Sequence, residues 1–94
     1  MKIDGIIWLR DIADKLEFKH NVTMEEAEET LNNKPRFRFV EKGERKGDDV
    51  YMALGRTDSG RYLSILFIYK RTREVLILSA RDMADKERKQ YGKK

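Results

Sequence analysis

Cysteine is absent from this 94-residue chain, which excludes a disulfide scaffold, thiolate metal ligation and thiol catalysis together. Histidine occurs once, at His20, so an imidazole-built metal site is disfavoured too, and no metal or cofactor is implied. The opening MKIDGIIWLRDIADK lacks the long apolar stretch and small-residue cleavage site of a secretory leader. No segment has the length of a membrane helix, so no membrane partner is expected and cytoplasmic residence is. Neither a phosphate-binding glycine loop nor a nucleophile elbow is present, and no repeat or low-complexity segment interrupts the chain.

Charge is what the chain has in quantity: 40% of its residues are charged, with 21 Lys and Arg against 17 Asp and Glu. The distribution is uneven. Residues 1–34 carry 5 basic and 8 acidic side chains, whereas residues 35–94 carry 16 and 9. Such segregation suits a basic face for nucleic acid or for an acidic protein partner, although a highly charged solvated surface would also read this way. The length allows one domain, residues 1–94, with one modest core, so an active site must lie on the surface of a small scaffold.

Trp8, Ile12 and Leu16 recur at helical spacing and predict a first helix from about Leu9 to Lys19, with Ile6, Ile7 and Trp8 forming a short strand or a lead-in. Asn21 stands where a left-handed terminator belongs, and Thr23 with Glu26 three residues later reads as a capping box opening a second helix. Met24, Ala27 and Leu31 are its expected apolar stripe, and Pro35 ends it. The period then changes to two. Phe37 and Phe39 alternate with Arg36 and Arg38, Val50, Met52 and Leu54 alternate with their neighbours, and Tyr62 to Tyr69 is almost continuously apolar, as a central strand covered on both faces would be. The short links predict an antiparallel meander of Arg36 to Glu41, Val50 to Arg56, Arg61 to Tyr69 and Glu74 to Ser79. Asp82, with Asp85 after it, is placed to begin a final helix in which Met83, Glu87 and Tyr91 share a face. The fold class is α+β: two N-terminal helices, a mainly antiparallel four-stranded meander and a C-terminal helix, with room for a short N-terminal strand.

Arginines mark the strand ends. Arg56 and Arg61 bracket the turn TDSG, and Arg81 follows the last strand, so each lies at a sheet rim where planar cationic forks could clamp a phosphate. Either of the first two could instead pair with Asp58. Histidine is the side chain that titrates near neutrality, which makes His20 the default general acid or base, or else a favourable cation at a helix C-terminus. The carboxylates Glu25 and Glu26 are better explained by capping than by catalysis. Tyr51, Tyr62, Tyr69, Tyr91, Phe37 and Trp8 could stack on bases where exposed or build core where not.

Three segments taken in order, KHNVTMEEAEETL, VYMALGRTDSGRYLSILFIY and LILSARDMADKERKQY, resemble the BrnT family of toxins, compact relatives of the RelE and ParE group. Asn21 stands where that family commonly has glycine, the first helix lacks the family's asparagine-leucine pair, and the loop EKGERKGDD is long, which together suggest a divergent branch. The resemblance implies a BrnT/RelE-like fold, metal-independent endoribonuclease activity and control by an antitoxin of the BrnA-like ribbon-helix-helix type. Carried onto matching positions, it implies catalytic roles for His20, Arg56, Arg61, Arg81 and Tyr91. It further implies RNA contacts from Lys19, Arg56, Arg61, Arg81 and Arg88. A non-catalytic RNA- or protein-binding module on the same fold is the alternative.

Overall fold

The computed structural model describes residues 1–93. Its elements run β1 (Gly5–Ile7), α1 (Arg10–His20), α2 (Met24–Asn32), β2 (Arg36–Glu41), β3 (Val50–Arg56), β4 (Tyr62–Tyr69), β5 (Glu74–Asp82) and α3 (Asp85–Gly92). The strands form one sheet in the order β1-β5-β4-β3-β2. The predicted meander is present as β2 to β5, but the sheet has five strands rather than four, because β1 adds to β5 in parallel with Ile6 opposite Val75. The sequence left room for this short N-terminal strand, but three residues carry too little pattern to fix its partner, which lies some seventy positions away.

Asn21 ends α1 in the left-handed region at φ 54°, donating its N–H to the Glu17 carbonyl while the Val22 N–H donates to that of Leu16. The chain therefore reverses within a few residues and buries Val22 completely. Thr23 then opens α2 with the expected capping box: the Glu26 N–H donates to Thr23 Oγ1 and the Thr23 N–H to Glu26 Oε1, both at 3.1 Å. The helix pair covers one face of the sheet, where Leu16, Val22, Ala27 and Leu31 meet Ala53, Leu63, Ile65, Phe67, Val75, Ile77 and Ala80. Alternation puts these strand residues on the same side. Phe37 and Tyr51 extend the cluster through ring contacts with Phe67 at 6.0 and 6.1 Å.

The other face has only the short α3. Ser64 and Leu54 are buried there, whereas Leu66 and Ile68 stay partly exposed, so β4 is central but unequally covered. Met24 and Phe39 do not join the core as the patterns suggested: they are 40% and 57% exposed. The register of β2 shifts between Phe39 and Glu41, and Phe39 rests by its edge against Tyr51 at the rim. Strand β5 runs three residues beyond Ser79, so Asp82 ends a strand and does not open a helix. Instead α3 begins at Asp85, and Glu87 Oε1 accepts from the Ala84 N–H at 2.8 Å.

Helix α2 approaches β3 closely at Gly55. A Cβ there would sit 2.9 Å from Thr30 Cγ2 and 3.0 Å from Pro35 Cβ, neither of which is the end of a flexible chain. Gly55→Ala should therefore overpack the helix–sheet contact, costing about 1–3 kcal/mol. A thermal melt should fall by on the order of 10 °C; an unchanged melt would show that α2 can retreat freely.

Candidate functional site

The expected site residues lie toward one end of the sheet but on its two faces, where the β3–β4 hairpin, the C-terminal end of β5 and the α1–α2 junction meet. The hairpin is built by its own polar side chains. Thr57 Oγ1 accepts from the Arg61 N–H at 3.0 Å, and Gly60 takes the positive φ of 95° that the turn needs. Helix α2 ties this loop down, since Asn33 Nδ2 donates to the Arg56 carbonyl and to Asp58 Oδ1, and the Asp58 N–H donates to Glu29. Asp58 is thus engaged with Asn33, and the arginines on either side of it find other neighbours.

Arg61 turns toward the helices. Its guanidinium donates to Asp82 at 2.8 and 3.2 Å, to Glu26 at 3.1 and 3.2 Å, and to the carbonyls of Asn21 and His20 at 2.6 and 3.1 Å. The hydrogen bonds to Asp82 and then to Glu26 raise its pKa against the opposing effect of burial. Asp82 is lowered first by its bond to Arg61, with the nearby His20 charge adding to the effect. Burial pushes Glu26 up, but the Thr23 N–H and Arg61 outweigh it and hold the carboxyl below its ordinary range. His20 ends α1 on this helical side, its carbonyl accepting from Arg61, and Lys19 is exposed one residue before it.

Arg56 projects to the opposite face, paired across the hairpin with Tyr62. Its guanidinium lies 5.3 Å from the Tyr62 ring centroid, and that of Arg88, from α3, lies 4.1 Å from the same ring. Tyr91 meets Tyr62 edge-on at 5.9 Å. Neither Arg56 nor Arg88 has a carboxylate partner among the described residues. Arg56, Tyr91, Asn33, Thr57 and Asp58 line an open cleft here. Arg81 is on the same face but engaged: its two terminal nitrogens donate to the two Glu87 oxygens at 2.7 and 2.8 Å. That fork raises Arg81 and holds Glu87 low, so Glu87 is a charged counter-ion at neutral pH and a poor proton acceptor.

The seven expected residues therefore divide. Arg56, Arg88 and Tyr91 gather with Arg81 close by; His20, Lys19 and Arg61 lie toward the helices, and the ring and hydrogen-bond contacts of the first group do not include His20. Sequence reasoning named Tyr62 among six aromatics that could stack on bases but did not place it with the site residues, although it is the ring on which the cluster is built. Its signal was available in the turn, because a hairpin closed around TDSG sets the residues flanking it opposite one another.

The chain is thus a small α+β protein, a helix pair on a mostly antiparallel sheet with a short terminal helix, whose sheet end carries arginines without carboxylate partners among the described residues. A family model of the BrnT ribonuclease toxins of type II toxin-antitoxin systems matches residues 8–87, and the chain belongs to that family. The crystal structure of the Brucella abortus ribonuclease toxin BrnT is similar in fold, with a TM-score of 0.59 and 16% identity over 89% of this chain and 100% of that one. Among curated proteins nothing matches.

Replacing Arg61 tests its structural part. Arg61→Lys keeps the charge but cannot span four acceptors, and should cost about 2 kcal/mol, measured by denaturant unfolding. Glu26, Asp82 and Glu87 all have carboxyl groups lowered by folding, so the unfolded chain binds more protons in acid. Their contribution is whole above the ordinary carboxyl range of about 4 to 4.5 and is lost as pH falls through the lower folded values. Stability should be flat from neutrality to about pH 5, fall below it, and fall less steeply in Arg61→Ala.

Proposed function

We propose that this protein is a metal-independent endoribonuclease toxin held in check by a cognate antitoxin, and that RNA seats at the cluster of Arg56, Tyr62, Arg88 and Tyr91. The observation carrying this reading is that two guanidiniums flank one aromatic ring while keeping their donors free of carboxylates. A ring offers a stacking surface for a base, and the flanking cations offer hydrogen bonds to the adjoining phosphate.

In the proposed reaction the 2′-hydroxyl attacks the neighbouring phosphorus. The new 2′-O–P bond forms, the P–O5′ bond breaks, and the products are a 2′,3′-cyclic phosphate and a 5′-hydroxyl. A base removes the 2′ proton and an acid protonates the departing 5′ oxygen. His20 and Tyr91 are the proposed proton carriers, with Tyr91 alternatively serving as a stacking platform. Arg56 and Arg88 stabilise the charge that builds on the phosphorane, and Lys19 adds to the field. Arg61 acts through positioning, since its donors are spent on Asp82, Glu26 and the two carbonyls.

The antitoxin is proposed to be of the BrnA-like ribbon-helix-helix type and to act by covering the Arg56–Tyr62 cluster, which is the simplest way to deny it phosphate. A binding module without cleavage is the second reading, favoured by the seat of His20 at the end of α1, where its carbonyl meets Arg61, rather than in the tyrosine cluster.

Incubating the purified protein with RNA in chelator separates the two. Cleavage should yield cyclic-phosphate ends, and Arg56→Ala or Arg88→Ala should each slow it by on the order of 10²-fold. Recovery of intact RNA from the wild type would put the binding module ahead. Unchanged rates in His20→Ala and Tyr91→Phe together would remove both as proton carriers.

A further inference from the structure

The face of the sheet beneath α3 carries more positive charge than the tyrosine cluster uses. Arg36, Leu54, Ser64 and Arg81 form one registered row across β2, β3, β4 and β5, with Arg38 beside Met52 in the next. Helix α3 lies over these rows yet buries none of its own residues. Ring contacts of Arg88 and Tyr91 with Tyr62 hold it at one side, and polar contacts hold it over these rows. Gln90 accepts from Arg38 through its side chain and from Arg36 through its carbonyl, and Glu87 receives Arg81. The Glu87 side chain is only 13% exposed, a deep position for a carboxylate on a surface helix.

What surrounds Glu87 is an anion site. One oxygen accepts from Arg81 at 2.7 Å and from the Ala84 N–H at 2.8 Å; the other accepts from Arg81 at 2.8 Å and from the buried Ser64 hydroxyl at 3.5 Å. A bidentate guanidinium with a hydroxyl beside it matches two non-bridging phosphate oxygens as well as it matches a carboxylate. The adjoining open cleft is lined by Arg38, Lys86, Gln90 and Met52, so further cations face the same place. The row holding Arg81 and Ser64 lies two residues from the row holding Arg56 and Tyr62, about 7 Å along the strands. That separation is of the order of one nucleotide step in an extended strand.

We propose that Arg81, Ser64 and Arg38 form a second phosphodiester subsite, occupied in the free protein by Glu87 as an internal stand-in, and that an RNA strand seated at Tyr62 displaces Glu87 with its next phosphate. This rests on the RNA-binding reading given above. Because the Arg81–Glu87 pair is partly solvated, it is individually weak, and an entering phosphate has only to replace one carboxylate with another anion. Glu87 thereby sets a threshold: short or poorly placed anions do not displace its side chain, whereas a strand anchored at the neighbouring ring does so at high local concentration while Arg88 and Tyr91 of α3 stay in place.

Binding of a fluorescent single-stranded RNA oligonucleotide in chelator, measured across a salt series, tests the subsite. Glu87→Gln keeps an acceptor for the Ala84 N–H and removes the charge. It should bind five- to tenfold tighter, with the slope of log K against log salt steeper by about 0.7, as for one more neutralised phosphate. Adding Arg81→Ala to Glu87→Gln should cancel both gains. In the wild-type protein the Arg81 Nε–H resonance should shift as the oligonucleotide is added, a readout independent of how any variant folds. An Arg81 resonance unmoved at saturation, or a Glu87→Gln affinity and slope equal to wild type while Arg56→Ala still weakens binding, would overturn the subsite and leave the tyrosine cluster standing. If no form of the protein bound the oligonucleotide, both would fall.

Discussion

The guanidinium of Arg61 is the point on which the functional end of this fold depends. A left-handed residue at Asn21 lets α1 reverse into α2, but it also turns the His20 and Asn21 carbonyls away from any helical partner. A buried or half-buried carbonyl without a donor is costly, and Arg61 supplies donors to both. The same side chain draws in Glu26, which already caps α2, and Asp82, which ends β5. Helix cap, interhelical turn, hairpin and last strand are thus fastened through one planar group. Lysine could not serve, since a single ammonium cannot present a fixed fork to acceptors on four sides. The position of His20, and the point at which the chain leaves β5 for α3, both follow from this fastening.

Those parts of the fold specified by local chemistry were legible in the sequence: the Thr23–Glu26 capping box, the left-handed stop at Asn21, the TDSG hairpin and the two-residue alternation of β3 to β5. The parts decided by distant neighbours were not. Asp82 has the side chain of a helix cap and a suitable place for one, yet Arg61, 21 positions away, claims it and keeps the strand running. Met24 fits the apolar stripe of α2 by number but falls at its first position, outside the shelter of the sheet. The arginines of the site could be located at strand ends from sequence alone. Whether each was neutralised could not, because Glu26 and Asp82 reach Arg61 only through the tertiary fold, and Glu87 reaches Arg81 only once β5 has turned into α3.

Charge that is segregated along the chain becomes segregated across the sheet. Carboxylates of the acidic first third contribute to the helical side, where Glu26 neutralises Arg61. On the other side Arg36, Arg38, Arg56 and Arg88 are left without carboxylate partners among the described residues, and Glu87 is the one acid that bridges to a guanidinium there. A protein of net charge +4 can thus present a face far more basic than its total suggests. Membership of a ribonuclease toxin family makes RNA the substrate proposed for that face, while a fold shared at 16% identity leaves the individual side chains to be judged on their own geometry.

That geometry separates two ways of ordering an arginine. A carboxylate takes the in-plane N–H donors, so Arg61 and Arg81 are held at the expense of the groups that would grip phosphate. A guanidinium that lies over an aromatic ring with no carboxylate in reach keeps its N–H donors unspent, which is the condition of Arg56 and Arg88 at Tyr62. Such a contact holds the long side chain near one place before any ligand arrives, lowering the entropy lost on binding without competing for the same hydrogen bonds. On a scaffold this small, a tyrosine under two arginines orders their side chains and leaves their donors free, whereas an ion pair would spend those donors.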